Sequence, residues 1–139
     1  MGNKYTESRE ALYENQIVRI SDYVVIGFAD TGVSKKIADL PEGAILLDVL
    51  VNVTTAFNAS TTDYLDVGYT GTLDAYVADM DVASVAFKNA VQETSPLCPA
   101  RLTADRVIYA TYTGSGTAAT TGSCQVSLVW APQQVRTKT

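Results

Sequence analysis

Apolar and polar positions alternate most regularly in residues 40–69, LPEGAILLDVLVNVTTAFNASTTDYLDVGY. After a Pro-Glu-Gly turn, Ile45, Leu47, Val49, Val51 and Val53 occupy every second position, while Asp48, Asn52 and Thr54 take the other side. A period of two is the mark of a half-buried β-strand. Leu46 and Leu50 add apolar surface to the polar side, which predicts a strand covered on both faces by another sheet or another chain. Asn58-Ala-Ser-Thr-Thr supplies turn chemistry. Leu65, Val67 and Tyr69 then resume the alternation, with Tyr64, Asp66 and Gly68 opposite.

The same reading extends outward. Residues 16–29 are β-rich, with Ser21-Asp22 breaking them into two strands, and a turn at 29–33 leads to a short strand at 33–38. Residues 71–75 read as a loop, 75–85 as either one helical turn or an irregular loop, and 86–93 as a strand. Two prolines make 94–99 a loop or sheet edge. A strand in 101–113 carries apolar residues on both faces, including Tyr109 and Tyr112, for which core packing is the simpler account. Residues 114–122, GSGTAATTG, read as a flexible hairpin loop. Cys124, Val126, Leu128 and Trp130 line one face of a closing strand that Pro132 ends.

Short strands between turn signals, with no long helical period, predict an all-β fold. The expected architecture is an antiparallel β-sandwich or jelly roll of about eight strands with an extended N-terminal arm. Residues 1–15 form the arm, 16–132 the sandwich and 133–139 a polar tail; Thr6 is placed to cap a brief helix carrying Arg9, Leu12 and Tyr13. The expected core includes Val49, Val51, Val53, Leu65, Val67, Val126 and Leu128.

Composition narrows the function. At 139 residues the chain fits one domain. Charged residues are 18% of it, below the roughly 25% usual for soluble domains, so much of the surface is neutral. The net charge of -5 argues against a nucleic-acid partner, since phosphate binding needs a cationic patch. No Lys or Arg lies between Ile37 and Phe87, a stretch that holds eight of the acidic residues. That is either a solvated acidic centre or one that meets the basic edge of a neighbouring chain. No apolar run is long enough to cross a bilayer, and the polar first residues lack a secretory signal. Two cysteines, Cys98 and Cys124, are too few for a disulfide scaffold; Cys124 reads as a small buried hydrophobe, and a bridge between the two stays open.

The chain has no histidine, which removes Ser-His-Asp and Cys-His nucleophile systems and the usual zinc sites. Paired carboxylates can hydrolyse glycosides. Asp63 with Asp66 and Asp79 with Asp81 are the clustered candidates, with solvated acids as the simpler account. Asp74, Asp79 and Asp81 could contribute to a Ca²⁺ site but miss the Asp-x-Asp-x-Asp-Gly pattern. The expectation is therefore a chain with no catalytic, cofactor-binding or metal-binding residues, and not an enzyme.

The run Leu40-Pro-Glu-Gly-Ala-Ile, Val51-Asn-Val-Thr-Thr-Ala-Phe57-Asn58, Leu65-Asp66-Val67-Gly68 and Asp74-Ala-Tyr76-Val77 resembles small capsid decoration (cement) proteins of tailed bacteriophages. Those carry an LP-x-GA turn, a Val-rich strand, an AFN turn, an LDVG strand and a DAYV segment. Ile108-Tyr-Ala-Thr111, Gly114-Ser-Gly-Thr117 and Thr121-Gly122 before a Val-rich strand resemble their closing hairpin, so the likeness spans residues 40–131. It implies a jelly-roll structural protein of the virion, assembled in the host cytoplasm. Such a protein binds the outside of the head, contacts the major capsid protein and forms a dimer or trimer. Neither nucleic acid nor membrane is an expected partner. A β-sandwich module of a fibre or tail that binds glycans or receptors through surface Tyr and Asp is the alternative.

Overall fold

The computed structural model describes residues 17–93 and 97–132. The proposed arm at 1–15, its Thr6-capped helix and the tail at 133–139 lie outside the described residues, as do residues 94–96 of the proline-bearing loop.

Ten strands form two antiparallel sheets: β1 (Arg19–Ile20), β2 (Val24–Gly27), β3 (Ser34–Leu40), β4 (Ile45–Thr55), β5 (Thr62–Tyr69), β6 (Thr72–Asp81), β7 (Ala86–Asn89), β8 (Ala100–Arg101), β9 (Arg106–Ser115) and β10 (Ser123–Ala131). β1 and β8 are two-residue pairings, which leaves eight substantial strands, as the turn spacing predicts. Ser21-Asp22 does divide β1 from β2. The first sheet runs β2-β10-β4-β7, with β1 extending the β2 edge and β8 the β7 edge; the second runs β3-β9-β5-β6. The pairs β2 with β10, β3 with β9, β4 with β7 and β5 with β6 are nested in sequence. One long antiparallel ribbon folded across itself gives that nesting.

The core lies between the sheets. Val49, Val51 and Val53 from β4, Leu65 and Val67 from β5, and Val126 and Leu128 from β10 are all 0% exposed, matching the predicted set. Ile26, Phe57, Val77, Met80, Ile108 and Tyr112 complete it. Burying such side chains contributes about 1.5–3 kcal/mol each and drives the two sheets together.

Three local expectations change. In β4 the inward residues are Leu46, Val49, Val51 and Val53, not Ile45 and Leu47. The cause is a bulge: Trp130 opposes Leu46 and Val129 opposes Asp48, so Leu47 is skipped and the phase flips there. Residues 72–81 are a strand rather than loop or helical turn. Here Leu65 opposes Met80 and Val67 opposes Val77, so three steps on β6 match two on β5, with Asp79 at φ 56 in the bulge. The strand expected at 86–93 stops at Asn89 and gives way to a helical turn, Ala90–Glu93. Asp48 holds that turn, its carboxylate accepting from Asn89 Nδ2 at 2.9 Å and Val91 N at 3.1 Å.

The Gly-rich 114–122 stretch is no hairpin either. β9 and β10 belong to different sheets, and the segment between them crosses the end of the sandwich. Asn58 pins it there: its Oδ1 accepts from Thr120 N at 2.8 Å and Thr121 N at 3.0 Å, and Nδ2 donates to Thr120 Oγ1. Gly122, at φ 145, lies so close to the Phe57 ring that a Cβ there would fall under 3.0 Å from it. Glycine is needed on both counts.

Candidate functional site

The two sheets turn unlike outer faces to solvent. The alternation that sends Asp63, Leu65 and Val67 inward sends Tyr64, Asp66 and Gly68 outward on the second sheet. Register places Thr113, Tyr64 and Asp81 in one row, Ser34, Thr111 and Asp66 in the next, and Lys36, Tyr109 and Gly68 in a third. Tyr109 is thus a surface residue of this face, while Tyr112 is the core residue expected of both. The face is polar and acidic. Burial raises the Asp66 carboxyl above its ordinary 3.8, partly offset by the Asp79 backbone N–H it accepts from at 2.7 Å, and the Asp79 and Asp74 carboxylates raise it further.

The first sheet differs. Its inward residues Cys124, Val126 and Leu128 leave Gln125, Ser127 and Val129 outside. One outer row is Val25, Gln125, Asn52 and Phe87; a second is Ser127, Leu50 and Asn89; a third is Ile20, Val129 and Asp48. Across these rows the one charge is Asp48, already committed to the helical turn. Ile20 and Phe87 are 66% and 67% exposed, at opposite edges of the sheet. Sequence reasoning anticipated the apolar outer side through Leu50, but not these flanking residues, because short edge strands carry too few residues to show a period.

The sequence-level chemical candidates are not assembled. Asp63 and Asp66 point to opposite faces of β5, so they cannot act on one bond. Asp63 is a core residue, 4% exposed, accepting from Tyr112 Oη at 2.6 Å and Ala59 N at 3.0 Å. Burial, then the Asp63 hydrogen bond and charge, push the Tyr112 hydroxyl well above its ordinary 10.0. The signal for an inward Asp63 was in the sequence: it shares parity with Leu65 and Val67. Asp79 gives its backbone N–H to Asp66, and Asp81 Oδ1 accepts from Ala83 N at 2.8 Å. Among the described residues no group of three or more His, Cys, Asp or Glu side chains could hold a metal ion, the Asp74, Asp79 and Asp81 set included.

Cys98 and Cys124 are both free and buried. Burial pushes the Cys98 thiol up to about 11 and the Cys124 thiol up to about 12, so neither is a ready nucleophile. An open groove lined by Asp39, Leu40, Pro41, Asp105, Arg106 and Val107 has its charges engaged. Arg106 stacks 3.9 Å over Tyr69, and Asp105 accepts from Glu42 N at 2.7 Å.

No protein-family model and no curated protein matches the chain. Two solved structures contain chains of similar fold. One, from the capsid asymmetric unit of cyanophage Pam1, is 23% identical with a TM-score of 0.62, covering 85% of this chain and 86% of that one. The other, from the acidic stable capsid structure of Helicobacter pylori bacteriophage KHP30, is 16% identical with a TM-score of 0.63, covering 90% of this chain and 96% of that one. At these identities the likeness establishes the fold. The chain is an all-β, two-sheet sandwich whose architecture recurs, over nearly its whole length, in chains of two phage capsids.

Proposed function

We propose that this chain is a structural protein of a tailed-phage virion, which binds the outer surface of the head and cements neighbouring capsomers. The observation that carries the reading is the near full-length fold likeness to chains of two phage capsid structures. The nested strand pairs fit the jelly-roll type that the Leu40-Pro-Glu-Gly-Ala run implies. The role is mechanical rather than enzymatic: the candidate carboxylate pairs are divided between faces or engaged by backbone N–H groups. Its partners are the major capsid protein and further copies of itself, as a dimer or trimer. Residues 1–15 serve as an arm that contacts a neighbour rather than the chain's own sandwich.

Heating heads with and without the purified protein tests this. Decorated heads are expected to release DNA at a higher temperature, and the protein to pellet with heads. Deleting residues 2–15 is expected to weaken pelleting while leaving the domain's own melting nearly unchanged. Heads that release DNA at the same temperature with the protein bound would refute cementing. Failure to pellet would refute head binding.

A further inference from the structure

The outer face of the first sheet is built to be covered, and we infer that a second copy of this chain covers it, the two sheets packing face to face about a two-fold axis. The inference deepens the proposed function by naming one partner and its surface.

Three observations lead there. The face is neutral where the rest of the molecule is not. Each chain carries a net charge of -5, and the opposite face bears Asp66, Asp79 and Asp81. Two copies therefore repel through most approaches, and like-charge contact costs several kcal/mol at an interface. Through Val25, Leu50, Phe87, Gln125, Ser127 and Val129 they meet without opposing charges.

The second observation is the distribution of bulk. The middle of the face is short and polar: Ser127 and Gln125 on β10 beside Leu50 and Asn52 on β4, with Asn52 Nδ2 donating to Gln125 Oε1 at 3.4 Å. The edges stand proud. Phe87 projects on the β7 side, and Ile20 and Val25, the latter 46% exposed, on the β1 and β2 side. A two-fold axis running along the strands between β4 and β10 lays the Phe87 edge of one copy over the Ile20 and Val25 edge of the other. That closes both grooves at once, as an isologous contact requires. Stacked sheets keep their strands within about 30° of one another, which such an axis allows.

The third observation is size. β4 spans 11 residues, so the face is about 36 Å long, and four strands at ~4.8 Å make it about 19 Å wide. Roughly 700 Å² per copy approaches the ~800 Å² per partner of a stable interface.

Sedimentation velocity of the full chain across a concentration series is the test, with no heads present, so that its failure and that of head binding are read separately. A dimer is expected. Phe87→Glu and Val25→Glu, at exposed positions, should each raise its dissociation constant at least tenfold with unchanged circular dichroism. Ser127→Cys should be captured as a dimer by a short bis-maleimide, while Thr113→Cys on the opposite face should not; Cys98 and Cys124 are buried and do not interfere. A monomer at all concentrations overturns the inference. A trimer does too, since a two-fold pairing of this face closes at two copies. So does a dimer insensitive to Phe87→Glu, or one linked through Thr113→Cys. A monomer whose Phe87→Glu variant loses head binding assigns the face to the capsid shell. A monomer in which the Ser127→Cys thiol resists reagents assigns it to the chain's own residues.

Discussion

Tyr112→Phe isolates the one polar pair inside the core. Tyr112 is 0% exposed and its hydroxyl donates at 2.6 Å to Asp63, which is 4% exposed and has Ala59 N as its other donor. The substitution keeps the ring against Phe57, 4.3 Å away between centroids, and deletes a single oxygen. A hydrogen bond to a charged group contributes about 1.5–3 kcal/mol, and the carboxylate would stay buried with one donor lost. The expected loss is about 2 kcal/mol by urea denaturation at pH 7, or roughly 8 °C in melting temperature for a domain of this size. A double-mutant cycle with Asp63→Asn should return a coupling above about 1 kcal/mol. The pH dependence is the independent signature. Because the folded-state hydroxyl ionises above its ordinary 10.0, the unfolded chain sheds that proton first. The contribution is whole below pH 10 and is lost as pH rises through the folded value. Tyr112→Phe should flatten part of the alkaline fall in stability. A variant within about 0.5 kcal/mol of the parent, with the same alkaline slope, would refute the pair's role.

Val51→Asp puts an unpaired carboxylate at a position 0% exposed in the middle of β4, and should cost several kcal/mol or abolish folding; melting within a few degrees of the parent would place Val51 outside the core. Gly122→Ala should destabilise by more than about 1 kcal/mol, because it strains φ 145 and drives a methyl into the Phe57 ring. Calorimetry reads both. Cys98 and Cys124 should resist a thiol reagent in the native protein and react together on unfolding, since burial has raised both thiols; rapid native labelling of either would contradict their placement.

The central strands were legible because one side of each faces the core without interruption. Val49, Val51 and Val53, Leu65 and Val67, and Val126 and Leu128 keep strict parity, and all are buried. Bulges hid the rest. Leu46 and Leu47 exchange sides at a bulge that depends on which strand lies opposite, a non-local fact. In β6, Val77 and Met80 are three apart, a helical spacing produced by the extra residue at Asp79. The 114–122 stretch has hairpin composition, but turn chemistry does not say whether the next strand pairs with the last one or crosses to the other sheet. Asp63 and Asp66 looked like a pair in one dimension and lie on opposite faces of β5. The neutral face of the first sheet depends on which edges β2 and β7 join, and that is set by pairing alone.

Imaging undecorated heads mixed with the purified chain by electron cryomicroscopy tests head binding most directly. The account predicts ordered density with the shape of a two-sheet sandwich on the outer surface, at boundaries between capsomers. Smooth heads with all of the protein left in solution would contradict it, as would density confined to the tail.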